Sequence, residues 1–333
     1  MTADIAKGIA VVLMIQVHLT ELFAIPEWYE GVAGKLSLFL GGPPAAPVFM
    51  FLMGFFAFQG NVKKCLLKRG LKLLAWGFLL NIGLNAHLFI KTASGNLSTH
   101  IPDYLFGVDI FFLAGLSLIL CSLLVKLFAQ NTALWALSFF TLASLNSYLP
   151  VYVGNNEWIK YFLAFFYGNY SWSYFPLLPW GAYPIAGVIA KIVWDSTAVF
   201  FARQEVQWGA LLLLTLVLLS SFDFGFSSAI VLQDYYHHSF IHALWNLCFV
   251  LWELILIHLL VRGNNLGIEG RWLAWNGKHV TQVYVFQWLL IGNLSTWLYR
   301  SQYPLQWFLW LIFLLFLSNL FTFFWLRFRP EWI

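Results

Sequence analysis

The sequence predicts an all-α fold, a polytopic membrane bundle of about ten helices with both termini cytoplasmic. Three observations carry that reading. Hydrophobic residues are 61% of the 333 and charged residues only 10%, where soluble domains hold about 25% charged. The apolar runs are continuous over lengths that cross about 30 Å of hydrocarbon as helices, and they do not alternate as barrel strands would. The lysines and arginines, finally, segregate by loop as the positive-inside rule requires.

Ten segments qualify in order: 5–23, 44–60, 70–90, 107–128, 132–149, 176–195, 208–224, 240–262, 279–298 and 305–327. Lys63, Lys64, Lys68, Arg69 and Lys72 crowd the connection between the second and third, which fixes that loop as cytoplasmic. With alternating sides, fourteen of the eighteen basic residues then fall inside. Lys35, Lys91, Lys160 and Arg300 make up the four outside. The chain 1–333 reads as a single integral membrane domain, its first span retained because no small-residue cleavage site closes it.

The first span carries Asp4, Lys7 and His18 in an otherwise apolar run. Lys7 and His18 are eleven positions apart, so they share a helix face about 16 Å apart along the axis. Ionisable groups are costly at membrane depth, which makes this face a functional candidate. The second span opens on Gly41-Gly-Pro43-Pro44-Ala-Ala-Pro47, where prolines stop a helix and small residues admit close backbones. On the expected topology this loop lies outside, near His18.

Asp109 stands at the outer end of the fourth span, within reach of a sugar hydroxyl or amine or simply solvated. The loop 150–175 is aromatic, and it either lies on the outer leaflet or lids a cavity. Glu253 sits near the middle of the eighth span, where an unpaired carboxylate is costly. It is a candidate to orient His18, to bind an acceptor, or to bond Asn81 or Gln287. Asp234, His237 and His238 lie on an outer loop, but adjacent histidines alone do not make a metal site. Cys65, Cys121 and Cys248 are isolated, without metal-ligand spacing. The net charge of +4 is spread over loops and gives no stripe for nucleic acid. There is no Gly-rich phosphate loop, Gly-x-Ser-x-Gly elbow or zinc motif.

Asp4-x-x-Lys7-Gly8 followed by Lys7-x10-His18 resembles the Asp-x-x-Arg-Gly and Arg-x10-His pattern of transmembrane acyltransferases. Gly42-Pro-Pro-Ala-Ala-Pro47 resembles the start of the second helix in bacterial relatives of heparan-α-glucosaminide N-acetyltransferase. Asp109–Leu118, Pro176–Gly187 and Asn276–Tyr284 leading to Gln287-Trp288 resemble the same group. The resemblance implies an enzyme of a bacterial inner membrane that moves an acyl group, acetyl above all, from cytoplasmic acyl-CoA to a sugar or glycan outside. It implies His18 as base or acyl relay. Lys7 stands where the pattern has arginine, a point charge without the planar fork.

The expected site is then His18 as the catalytic residue, with Lys7, Lys68, Arg69 and Lys72 toward acyl-CoA. Asp4, Pro43, Pro44, Asp109, Glu253 and Gln287 bind the acceptor or support the site. Acetyl-CoA is the expected donor and no metal is expected. The partners are acyl-CoA, the acceptor and the bilayer, with a homo-oligomer left open. The alternative is a transporter or flippase for a lipid or small polar solute, its path lined by the charged face of the first span and Glu253.

Overall fold

The computed structural model describes residues 1–59, 65–263 and 266–328. Among them every regular element is a helix. Two isolated parallel bridges, Ala24 with Gln302 and Val108 with Ser173, complete the backbone pairing among the described residues.

Among the described residues six helical stretches are long and apolar enough to cross a membrane: Thr2–Phe23, Val32–Ala57, Ile110–Phe128, Leu177–Phe201, Phe240–Val261 and Pro304–Phe328. Two bent pairs raise the number to eight, namely Leu66–Leu84 with Ala86–Ala93 (53°) and Gln204–Ser220 with Phe222–Ile230 (66°). The expectation of about ten spans is therefore corrected to six to eight. Thr132–Leu145 has 14 residues and reaches only about 21 Å, short of the hydrocarbon thickness. Val280–Leu298 is helical, but Gln282, Gln287 and Asn293 dilute its apolar character. Rows of exposed leucine and phenylalanine run along the spans, among them Leu212, Leu213, Leu216 and Leu219, and Leu309, Ile312, Phe313 and Phe316. Water does not tolerate apolar faces of that extent, and lipid does. The protein is an integral membrane protein.

The chain forms two compact units. The first unites Met1–Ala45, Leu80–Ile101 and Leu260–Ile333. Its axis is Thr2–Phe23, which packs against Val32–Gly41, Ile268–Lys278, Val280–Leu298 and Pro304–Phe328. Glycines set the closest of these crossings. A Cβ on Gly8 would collide with the backbone carbonyl of Leu273, and one on Gly277 with the carbonyl of Asp4. Small residues at both contact points let the backbones touch. The outgoing end of the first helix is closed by backbone bonds from a distant loop. Arg300 N–H donates to the Leu22 carbonyl at 2.9 Å, and Gln302 N–H to that of Phe23 at 2.8 Å. These satisfy carbonyls that a helix end leaves open.

The bend after Leu84 has an identifiable cause. Asn293, from Val280–Leu298, donates its amide to the Gly83 carbonyl at 2.9 Å and accepts from the His87 backbone N–H at 2.8 Å. A side chain inserted into the helical ladder in this way bends the helix and re-satisfies its backbone.

The second unit comprises Ala46–Leu79 and Pro102–Leu259. Its core is built on Trp135, Trp180, Tyr183, Leu113 and Leu118, all buried. Ala46–Ala57 and Ala182–Phe201 pack closely, because Gly54 meets the Pro184 carbonyl and Gly187 that of Phe51.

Candidate functional site

His18 projects from the fifth turn of the first helix in a half-buried position. Its ring lies against that of Trp288, with centroids 4.1 Å apart and planes tilted by 40°. The imidazole Nδ1 faces the carboxylate of Glu21, one turn later on the same helix, at 3.5 Å from Oε2. Nδ1 is buried and has no hydrogen bond among the described residues, so Glu21 is its electrostatic partner at a distance slightly too long for a bond. Glu21 also faces Tyr29: burial first, and then the Glu21 charge, push the Tyr29 phenol above its ordinary value.

The neighbouring helix is held in register by a buried polar cluster. Gln16 donates to the Ser37 carbonyl at 2.9 Å, and Ser37 Oγ donates to Gln16 Oε1 at 2.6 Å. Thr20 Oγ lies 2.6 Å from Ser37 Oγ and donates to the Gln16 carbonyl. Such a fully bonded network fixes one geometry in a low-dielectric setting. It clamps Val32–Gly41 against the turns that carry His18. A Cβ on Gly41 would run into the side chain of Val17. The buried turn with Pro43 and Pro44 therefore begins beside the residue that precedes His18.

At the other end of the helix Lys7 is paired with Asp4, Nζ to Oδ1 at 2.9 Å. Because Gly277 seats on the Asp4 carbonyl, two of the sequence stretches singled out above, Asp4–Gly8 and Asn276–Tyr284, come together in one crossing. Asn276 is fully buried and donates to the Trp272 carbonyl at 3.0 Å and to Asn319 Oδ1 at 3.1 Å. Gln287 is likewise buried, and neither of its amide atoms has a partner among the described residues.

The first unit thus collects His18, Lys7, Asp4, Pro43, Pro44 and Gln287. Lys68, Arg69, Lys72, Asp109 and Glu253 belong to the second. The three cations are exposed on Leu66–Leu84, and Lys63, Lys64 and Arg329 lie outside the described residues. Asp109 caps its helix: Oδ1 accepts from the N–H groups of Phe111 at 2.9 Å and Phe112 at 3.4 Å. That is a structural task the sequence reading missed, although Asp before an apolar run is a cap signal. Glu253 is 6% exposed, and neither oxygen has a hydrogen-bond partner among the described residues.

The second unit also contains a polar cluster. Asn246 donates to the Tyr183 hydroxyl at 2.8 Å, and that hydroxyl lies 2.9 Å from His238 Nε2. His238 Nδ1 lies 2.8 Å from the Tyr235 carbonyl. A carbonyl only accepts, so Nδ1 carries the proton and Nε2 accepts from Tyr183. Burial, with the nearby His242 adding to it, depresses His238 to about 3. Among the described residues no three His, Cys, Asp or Glu side chains form a group able to hold a metal ion.

Residues 1–217 match the family model described as heparan-alpha-glucosaminide N-acetyltransferase, catalytic. The chain belongs to that family. The match covers the helix with His18 and its clamp, and it ends before Gln287 and Trp288. The family is one of membrane acetyltransferases that use acetyl-CoA. No curated protein and no solved structure matches the chain. Glu21 and Trp288 are the residues beside His18 that the sequence reading did not assign. The i,i+3 spacing of His18 and Glu21 was the available signal for the first.

Proposed function

We propose that this protein takes the acetyl group of cytoplasmic acetyl-CoA and places it on a hydroxyl or amine of a sugar or glycan outside the membrane, as one catalytic domain spanning 1–333. The family match across the helix that holds His18 carries this reading. In it both termini are cytoplasmic, Lys7 marks the inner end of the first span, and His18 lies in its outer half. The host membrane is a bacterial inner membrane.

His18 is the general base. The carboxylate of Glu21 faces Nδ1 at 3.5 Å, and in this reading Nε2 takes the acceptor's proton, as a directed imidazole base does. The acceptor nitrogen or oxygen attacks the thioester carbonyl carbon, the C–S bond breaks, and the proton passes from His18 to the departing sulfur. The alternative order, with the acetyl group first on His18, uses the same residue as nucleophile. The pantetheine arm is long enough to leave the charged head of CoA at the cytoplasmic face, near Lys7 and the cations Lys68, Arg69 and Lys72. Asp109, Glu253 and Gln287 serve the acceptor or support the site. Transfer accounts for the family match, and transport or lipid flipping does not.

The test is acetyl transfer by purified protein from radiolabelled acetyl-CoA to a panel of amino sugars and neutral sugars. Saturable acetyl-CoA binding and at least one acetylated sugar are expected, with binding retained and transfer lost in the His18→Ala protein. Absence of acetyl-CoA binding, or transfer that persists in His18→Ala, removes the proposal.

A further inference from the structure

We infer that the indole N–H of Trp288 is the hydrogen-bond donor that stabilises the oxyanion formed on the thioester during transfer. The inference rests on the function proposed above and assigns a second catalytic residue to it.

Two independent observations converge on Trp288. The first is position: its ring packs on the imidazole of His18 at 4.1 Å between centroids. The second is an unmet requirement. Trp288 Nε1 is buried and has no hydrogen-bond acceptor among the described residues. Indole nitrogen is a donor only, and a buried donor without an acceptor calls for an explanation. Two other buried indoles also lack acceptors, Trp172 and Trp307, but their ring neighbours are Tyr161 and Tyr170, and Trp28. Trp180, which does pack on a histidine, gives its N–H to the Tyr236 carbonyl at 2.8 Å. Trp288 thus combines an unused donor with contact to a half-buried imidazole whose Nδ1 faces a carboxylate.

The chemistry needs such a donor. When the acceptor atom bonds to the carbonyl carbon, the carbonyl π pair moves onto oxygen and makes an alkoxide. Collapse of that alkoxide returns the pair and expels the thiolate, which takes the proton held by His18. A donor already in place, in a site from which water is excluded, stabilises the alkoxide without reorganising at the moment of reaction. The His18–Trp288 contact puts the unused indole donor beside the base, and Nδ1 of that base faces the carboxylate of Glu21.

The decisive comparison is Trp288→Phe against His18→Ala, assayed by thiol release from acetyl-CoA with glucosamine as acceptor, alongside calorimetric acetyl-CoA binding. Phenylalanine keeps a ring against His18 and removes the donor. The expected result is a fall in kcat of about 10²-fold or more, with KM for acetyl-CoA and its binding within twofold of the parent. Where Trp288→Phe does not fold, a benzothiophene analogue of tryptophan inserted at 288 keeps the bicyclic shape and replaces N–H by sulfur, and the same fall is expected. An unchanged kcat in either protein overturns the assignment, and so does a loss that appears equally in binding. If His18→Ala retains activity, the proposed function itself fails. If only the position 288 variants retain it, that function stands without this donor.

Discussion

His18 and His238 are both imidazoles packed on a tryptophan, and they do opposite things. His238 uses both nitrogens, one toward the Tyr235 carbonyl and one toward Tyr183. Asn246 in turn bonds Tyr183, which extends the chain. His18 has a carboxylate at 3.5 Å from Nδ1, no hydrogen bond there, and an unused indole N–H beside it. A buried polar group that is bonded throughout makes a rigid core. One that is left with capacity stores it for another molecule. The difference separates a histidine bonded at both nitrogens from one whose Nδ1 is unbonded, although the two are indistinguishable in sequence.

The comparison breaks most sharply at His18 itself. His18→Ala is expected to lower kcat by about 10²–10⁴-fold at unchanged acetyl-CoA binding. His238→Gln is expected to leave the activity of the folded fraction intact, and one enzyme assay on both proteins checks this. Glu21→Gln keeps the size of the side chain and removes the charge facing Nδ1. A drop in kcat of roughly tenfold is expected if the contact tightens to a charge-assisted hydrogen bond, worth about 1.5 kcal/mol, as the imidazole takes up its proton, with KM unchanged. Steady-state kinetics with varied acetyl-CoA distinguish that from lost binding.

The remaining effects are on stability. Tyr183→Phe removes the hydroxyl that joins Asn246 to His238 and leaves two buried polar groups without partners, a cost of about 1–3 kcal/mol. Thermal unfolding in detergent shows it as a lowered midpoint with kcat retained. Gly8→Val puts a branched side chain where the Leu273 carbonyl already sits. Overpacking of this kind costs about 1–3 kcal/mol, and the same scan measures it.

The smallest effect is acid sensitivity. His238 is held neutral by burial, at about 3, whereas in the unfolded chain it titrates near 6.5. The unfolded state therefore binds the extra proton, and this contribution to stability is present above about pH 6.5 and lost as pH falls toward 3. The melting midpoint should decline across that interval, and His238→Gln should decline less steeply. A parallel decline in both proteins places the acid sensitivity elsewhere.

Much of this was legible in the chain. Continuous apolar runs separated by charged loops can form little but membrane helices, because a backbone in lipid must bond to itself. The Asp4–Lys7–His18 spacing placed the candidate base on one face of the first span, since helix geometry is a local property. The number of spans was less legible: Thr132–Leu145 and Val280–Leu298 are helices, yet one is too short and the other too polar to pass as a membrane span. Asp109 read as a site residue, and the structure adds a helix cap to that reading.

What only the tertiary structure decided is which distant groups meet. Trp288 lies 270 positions after His18, and no local pattern reports that their rings touch. The same holds for Gly8 seated on Leu273, and for Asn293 inserted beside Gly83. Sequence fixes periodicity and charge because these are set by neighbours along the chain. Whether a buried donor finds an acceptor is set by neighbours across it, and that accounting, residue by residue, is what distinguishes Trp288 from Trp180 and His18 from His238.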